Sequence, residues 1–556
     1  MRKGGGLKFG LIIALSCLVA AATWIFAKDK PAAIDDPYFL LAAESMVKNP
    51  LRPFDFMINW EGYNVPAQVY SLYDPPVWPA ILAAFMKLGR SEAFLHLVQV
   101  PFHILALLAI YALARGFGTS PILAWTLAAL SPAIIVPAST FMPDIPAIAL
   151  AWWGLWFFCS NRPKWHAPAG ALCFVAAGLM KFSIFPVIGM AAAAVWWRRG
   201  ELRRGIAWIL AALLLLSIWP SLQMALHTAQ NVFALPLWKK MWHEIIMINK
   251  LAYSPAALGA AFIFPSVWLV LLASRVRDRK SLEFMLLVLG LVLAAMTAVY
   301  GLGMRFYHRI HMPGWGPPFG VNALWFLASI LLFLSWITTS TLETIRHKRP
   351  RNRSQGLLLI WIAISVACVV LFSPFPNVRF LLSAFPAVAI LVAGEMENLL
   401  TPKTRRWIQA AVLASTAWLG LSLLQSDVKQ AQCSQDLMAT VRDMYPSKRT
   451  FLTGHWGMQY YAARHGILQT TIPGREPRKG DIVLIPYITY AHTLTLPEGL
   501  VSRRINALSC LSSRISLRTM DRDSGAAFYG GISRVPYTFS RNSMETLFIN
   551  EIRTGK

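Results

Sequence analysis

The sequence predicts a mainly helical, polytopic membrane bundle of about thirteen spans, with a small α/β domain at its C-terminal end. Three observations carry this expectation. Apolar residues fill 56% of the 556 positions and charged residues only 14%, where soluble domains carry roughly a quarter. The mean hydropathy is +0.50, and the apolar residues fall into runs long enough to cross a bilayer. The basic residues gather in short clusters between those runs: WRRGELRR at 197–204, SRVRDRK at 274–280, RHKRPRNR at 346–353 and PKTRR at 402–406.

Spans are expected near 7–27, 93–114, 119–137, 144–160, 166–180, 182–197, 205–226, 256–273, 282–300, 320–340, 356–372, 380–396 and 406–424. The basic clusters, with the opening MRKGGGLK and with Arg115, Arg162 and Lys164, then all fall on one side. By the positive-inside rule that side is cytoplasmic, so the N-terminus is inside and the chain after about residue 425 is outside. The formal charge of +26 is thereby explained as loop marking. Nucleic-acid binding is set aside, because no basic domain surface with stacking aromatics accompanies the charge. The first span has the basic start and apolar core of a signal peptide, but it is long and AKDKP offers no clear cleavage site, so a retained span is expected.

The membrane part is assigned to 1–424 and a soluble domain to 425–556. Within the first outside loop, 28–92, two apolar stretches, 37–48 and 75–88, are too short to span and are expected as juxtamembrane helices. In the tail, QAQCSQDLMATVRDMY reads as helix. TFLTG, GDIVLIPY and LVSRRINAL read as strands, and HWGMQYYAARHG as a loop entering a helix. Cys17, Cys159, Cys173 and Cys368 lie in apolar runs. Cys433 and Cys510 are the only plausible disulfide pair if the tail is extracytoplasmic.

The polar residues at the outer face carry the functional reading. Asp35 and Asp36 follow the first span in IDDPYF. Asp36 precedes Pro37 and is either a helix cap, which leaves Asp35 without a local structural task, or a catalytic carboxylate beside Asp35. A carboxylate beside apolar groups can act as a base. Asp144, in TFMPDIP, is open to the same two readings, cap or catalytic acid. Lys181, Arg305, Arg309 and Arg379 enter the same face. Lys181 can also be a polar turn, and Arg305 and Arg309 can snorkel to headgroups. Arg379 stands at the head of an apolar span, where an ionisable residue is a functional candidate. Carboxylates with cations at an interface suit chemistry on a lipid-linked phosphate: cations hold the leaving phosphate and a carboxylate takes the acceptor proton. His308 and His311 form no two-histidine helix motif, and no metal ligand set is assigned. No cofactor follows from the sequence, a divalent metal being the one left open.

These residues resemble, in order, those of the GT-C glycosyltransferases, in the family of the protein O-mannosyltransferases and the bacterial lipid A aminoarabinose transferase. The features are the acidic pair of IDDPYF, the Pro-Pro segment of LYDPPVWPAILAAFMKLG, the aspartate of FMPDIPAIAL, the arginine of NVRFLLSAFPAVAIL and the tail segment GHWGMQYYAARHG. The resemblance covers about 1–424, more weakly the tail. The lack of organelle signals points to a bacterial inner membrane, and so to a periplasmic tail; the resemblance implies a GT-C bundle there. It also implies inverting transfer of a sugar from a polyprenyl-phosphate donor to an acceptor hydroxyl on protein, lipid A or glycan, at the outer face and among membrane lipids. Asp35 then takes the position of the base, Asp144 that of the second loop acid, and Arg379 a place near the donor phosphate. Asp74, before Pro75 and Pro76, departs from the pattern, since several members carry a phosphate-contacting lysine there. Either another cation, Lys181 or Arg305, contacts the phosphate, or the donor is held differently.

A transporter or lipid-linked glycan flippase is the rival reading. It predicts charges deep in spans and an internal repeat. Few mid-span charges and no obvious repeat are found, and the ionisable residues cluster at one face. A non-catalytic assembly protein working through its tail is a third reading. It would make the Asp35 and Asp144 loops dispensable.

Overall fold

The computed structural model describes residues 4–60, 62–69, 74–160, 165–198, 202–226, 244–273, 318–346, 350–373, 375–398, 402–472, 474–489, 494, 496–511, 516–529 and 535–555. Among these, seven helices are long and apolar enough to cross a membrane: Phe9–Ala27, Glu92–Gly116, Gly205–Leu222, Trp325–Leu342, Ser354–Phe372, Val378–Glu397 and Arg405–Met444. Each matches an expected span. An eighth is the pair Pro121–Leu130 and Pro132–Ser139, bent by 61°. The bend follows from Pro132, which cannot donate to the helix before it. Ser131 makes the break regular, its hydroxyl accepting the Ala133 N–H to start the next helical turn.

The other expected spans differ in detail. Asp144–Cys159, His166–Gly178 and Phe182–Trp196 are apolar helices of 10–17 residues. At 1.5 Å per residue they reach about 20–24 Å, short of a hydrocarbon core of about 30 Å. The physical reason is visible at their ends: the first begins at Asp144 and the second gives way at Lys181, and these two buried charges pair with each other. Expected span 256–273 is interrupted, since one helix ends at Ala260 and the next begins at Ser266, after Pro265. Expected span 282–300 lies outside the described residues.

The first outside loop holds both expected helices, Asp36–Lys48 and Val77–Leu88. It also holds a hairpin that the sequence reading does not contain, Met57–Trp60 paired antiparallel with Tyr63–Pro66. Its turn uses Gly62 at φ +95°, a conformation glycine adopts without penalty. The stretch 131–149, with its four prolines, is buried throughout and lies beneath this loop.

The tail contains the expected strands in a five-stranded sheet. Its order is Leu468–Gln469, Thr450–Leu452, Ile482–Pro486, Thr546–Thr554, Leu500–Ser509. The Thr450–Leu452 strand is parallel to both neighbours, and Thr546–Thr554 is antiparallel to both of its own. Helix Pro402–Met444 is 43 residues long and runs unbroken past 424/425, where the reading of the sequence divides membrane part from tail. A Cys433–Cys510 disulfide ties that helix to the end of the edge strand.

Candidate active site

Four of the charged side chains singled out in the sequence come together. The Arg379 guanidinium donates to Asp35 Oδ2 at 2.8 Å through Nη2 and to Asp144 Oδ2 at 3.4 Å through Nη1. Lys181 Nζ donates to Asp144 Oδ1 at 2.7 Å. Side-chain exposure is 1% for Asp144, 3% for Arg379 and 9% for Lys181, but 21% for Asp35, so the cluster opens at Asp35. Burial of charge is tolerable only when it is paired, and here two cations face two carboxylates. Among the described residues Arg379 Nε has no hydrogen-bond partner although it is buried. The guanidinium therefore has one donor that no described residue takes up.

Neither helix-cap reading survives. Asp35 occupies the cap position of Asp36–Lys48 but makes no side-chain cap bond. Asp36 lies in the first turn, and its two oxygens accept instead from Ala33 N at 3.0 Å and Phe141 N at 2.7 Å. It thus fastens the first loop to the 139–143 segment. Burial pushes its carboxyl up to about 7, against the pull of Lys30 and the two backbone donors. Both Asp36 oxygens are thus engaged by backbone donors. Asp144 opens its helix behind Pro143, and its carboxylate is taken by Lys181 and Arg379.

The turn that presents Asp35 is held under local strain. Ile34 has φ +49°, unusual for a β-branched residue. Two contacts from the tail helix Trp456–Arg464 fix it. Tyr461 OH accepts from Ala32 N at 2.7 Å, and Gly457 lies so close that a Cβ there would stand 2.2 Å from the Ala32 carbonyl oxygen. The tail segment GHWGMQYYAARHG is thus a support for the acidic turn.

Asp74 heads the Pro-Pro segment. Val77 N donates to the Leu179 carbonyl at 3.3 Å and Trp78 Nε1 to the Phe141 carbonyl at 2.6 Å, which brings the segment beside Lys181 and Asp144. Pro75 is buried and Pro76 half-buried at the start of the helix. Among the described residues the Asp74 carboxylate has no hydrogen-bond partner. Burial, with help from Asp35 and Asp144, pushes it up to about 6 against Lys181 and Arg379. Arg305 and Arg309, like His308 and His311, lie outside the described residues. Of the candidate replacements for the lysine, Lys181 is the one the described residues place in the cluster. No group of three or more His, Cys, Asp or Glu side chains is arranged to hold a metal among the described residues.

Sequence reasoning missed a second buried cluster beside the first. Lys30 Nζ donates to Asp427 Oδ2 at 2.5 Å and to Ser139 Oγ at 3.2 Å. Asp427 also accepts from Tyr529 OH at 2.5 Å and Thr519 Oγ1 at 2.9 Å. The Lys30 carbonyl is held by His96 Nε2 at 2.9 Å, and Gln99 Nε2 donates to the carbonyls of Thr140 and Met142. The available signal was Lys30 just beyond the first span and Asp427 just beyond the last.

Residues 73–223 match the family model of the dolichyl-phosphate-mannose-protein mannosyltransferases. The resemblance to membrane glycosyltransferases of this family is borne out. The matched segment contains Asp74, Pro75, Pro76, Asp144 and Lys181, while Asp35 and Arg379 lie on either side of it. A comparison with curated protein sequences gives no match. Among solved structures, the apo form of ArnT from Cupriavidus metallidurans is 14% identical at a TM-score of 0.35, with 86% of this chain and 93% of that one covered. Its undecaprenyl-phosphate complex is 12% identical at 0.35, covering 87% and 96%. The arabinofuranosyltransferase AftD from Mycobacteria is 13% identical at 0.45, covering 98% of this chain and 40% of that one.

Proposed function

We propose that this protein transfers a sugar, with inversion, from a polyprenyl-phosphate donor to an acceptor hydroxyl at the outer face of a bacterial inner membrane. The observation that carries the reading is the shared Arg379 guanidinium. It is buried, bridged between Asp35 and Asp144 and flanked by Lys181, and its Nε–H has no partner among the described residues. A phosphate leaving group gains negative charge as the glycosidic bond breaks. Preformed cations in a site closed to water stabilise that charge without reorganisation. Asp35, the exposed member, takes the acceptor proton as the oxygen attacks C1 from the face opposite the phosphate. Asp144 holds the two cations in place. The name of the matching family, with its dolichyl-phosphate donor, supports a lipid-phosphate sugar as substrate. The Cys433–Cys510 disulfide supports a tail in an oxidising compartment, hence periplasmic.

The test is transfer from a panel of polyprenyl-phosphate sugars by purified protein, wild type beside Asp35→Asn and Asp144→Asn. The expected outcome is turnover in the wild type and collapse in Asp35→Asn with donor binding retained. Full turnover by Asp35→Asn would remove the base assignment.

A further inference from the structure

We infer that the tail turn Ala526–Tyr529 sets the position of the Arg379 guanidinium, with Tyr529 as the positioning residue. Three consecutive main-chain carbonyls of this turn accept from the membrane part. Tyr253 OH donates to the Ala527 carbonyl at 2.8 Å and Val378 N to the Phe528 carbonyl at 3.2 Å. The Tyr529 carbonyl takes Arg379 Nη2 at 2.9 Å and Asn377 Nδ2 at 3.2 Å. The tail backbone is therefore laid along the residues that open the Arg379 helix.

Tyr529 touches both buried clusters at once. Its carbonyl holds Arg379, while its phenol donates to Asp427, which is paired with Lys30. Its ring lies between the two cations, 5.6 Å from Arg379 Cζ and 5.8 Å from Lys30 Nζ. Asp427 is itself fixed by Thr519, and the Thr519 carbonyl accepts from Phe528 N at 2.8 Å, so phenol and backbone are anchored to one frame. This matters because the guanidinium has two carboxylate partners at unequal distances, 2.8 and 3.4 Å. Carboxylates alone leave it free to swing between them. A neutral carbonyl on Nη2 fixes the plane without adding charge, and Nε–H has no partner among the described residues. The tail thus completes the phosphate end of the site, 150 residues away in sequence.

The inference rests on the reading of Arg379 as the donor-phosphate cation. The experiment measures binding of undecaprenyl phosphate to the full-length protein in nanodiscs, for wild type, Tyr529→Phe, Thr519→Val, Arg379→Lys and Tyr529→Phe/Arg379→Lys. Losing one hydrogen bond to a charged group weakens binding about tenfold when the affected cation is the ligand's partner. Tyr529→Phe is expected to show a loss of that order at a temperature where the variant is still folded, and Thr519→Val a smaller loss of the same sign. The double variant is expected to bind no more weakly than Arg379→Lys alone, because the phenol acts through the guanidinium. Wild-type affinity in Tyr529→Phe and Thr519→Val, with Arg379→Lys impaired, would overturn the inference and leave the role of Arg379 standing. Wild-type affinity in Arg379→Lys would overturn that role, and the inference with it.

Discussion

Two ion-pair clusters lie side by side in this molecule and are finished differently. Around Lys30 and Asp427 every charged atom is matched, and the side chains are 0% and 6% exposed. Around Arg379 the matching is incomplete: Asp35 is one-fifth exposed, Arg379 Nε is unpartnered, and Asp74 has no hydrogen bond among the described residues. A sealed cluster can only hold elements together. An open one can exchange its partners for those of a substrate. The contrast separates a structural role from a chemical one without reference to sequence position.

The largest effect should come from the open cluster. Arg379→Ala is expected to lower transfer by on the order of 10²–10³, the range for losing one preorganised donor to a developing oxyanion. The measurement is single-turnover transfer at saturating donor. A loss of stability with the rate unchanged would make this cluster structural like its neighbour.

Next is the sealed cluster. Asp427→Ala strands the Lys30 ammonium in a dry site and should cost about 3–5 kcal/mol, whereas Lys30→Met/Asp427→Leu should recover most of it. Denaturation in detergent reads both. A single variant as stable as wild type would break the claim that this pair holds the tail to the membrane part. Replacing Cys433 and Cys510 together by alanine should cost less, about 2–4 kcal/mol, for a cross-link spanning 77 residues. Its melting temperature should match that of the wild type under reducing conditions.

The smallest effect is the response to pH. Burial raises the carboxyls of Asp36 to about 7 and Asp74 to about 6, above their ordinary value of 3.8. The folded protein then holds these protons more tightly than the unfolded chain. That contribution to stability is full below 3.8 and is lost as pH climbs through 6 and 7. The melting temperature should fall between pH 5 and 8, and Asp74→Asn should flatten the earlier part of the fall, since no described residue hydrogen-bonds the Asp74 carboxylate. An unaltered slope in Asp74→Asn would mean that its carboxyl is not part of the buried group.

The long spans, the two juxtamembrane helices and the tail strands were legible because each is written in consecutive residues with a fixed period. Asp35, Asp144, Lys181 and Arg379 were legible because charge at the edge of an apolar run is conspicuous. Their pairing was not, since Arg379 and Asp35 are 344 residues apart and no local rule joins them. The cap readings of Asp36 and Asp144 failed for the same reason: cap preference knows only the nearest turn, while Phe141 and Lys181 come from elsewhere and compete for those oxygens. Lys30 and Asp427, separated by 397 residues, gave no signal at all beyond their nearness to a span. The hairpin at 57–66 escaped because its strands are only four residues long.

The helix Pro402–Met444 has one more consequence. At 1.5 Å per residue its 43 residues measure about 64 Å, roughly twice a bilayer's hydrocarbon thickness. It is a mast long enough for its lower half to be stepped in a membrane while its upper half stands clear. With the disulfide as a stay at Cys433, the tail cannot pivot freely on its anchor. Its height and heading are set by one continuous rod, so anything that reaches the Asp35 end of the open cluster must approach around a fixed obstacle.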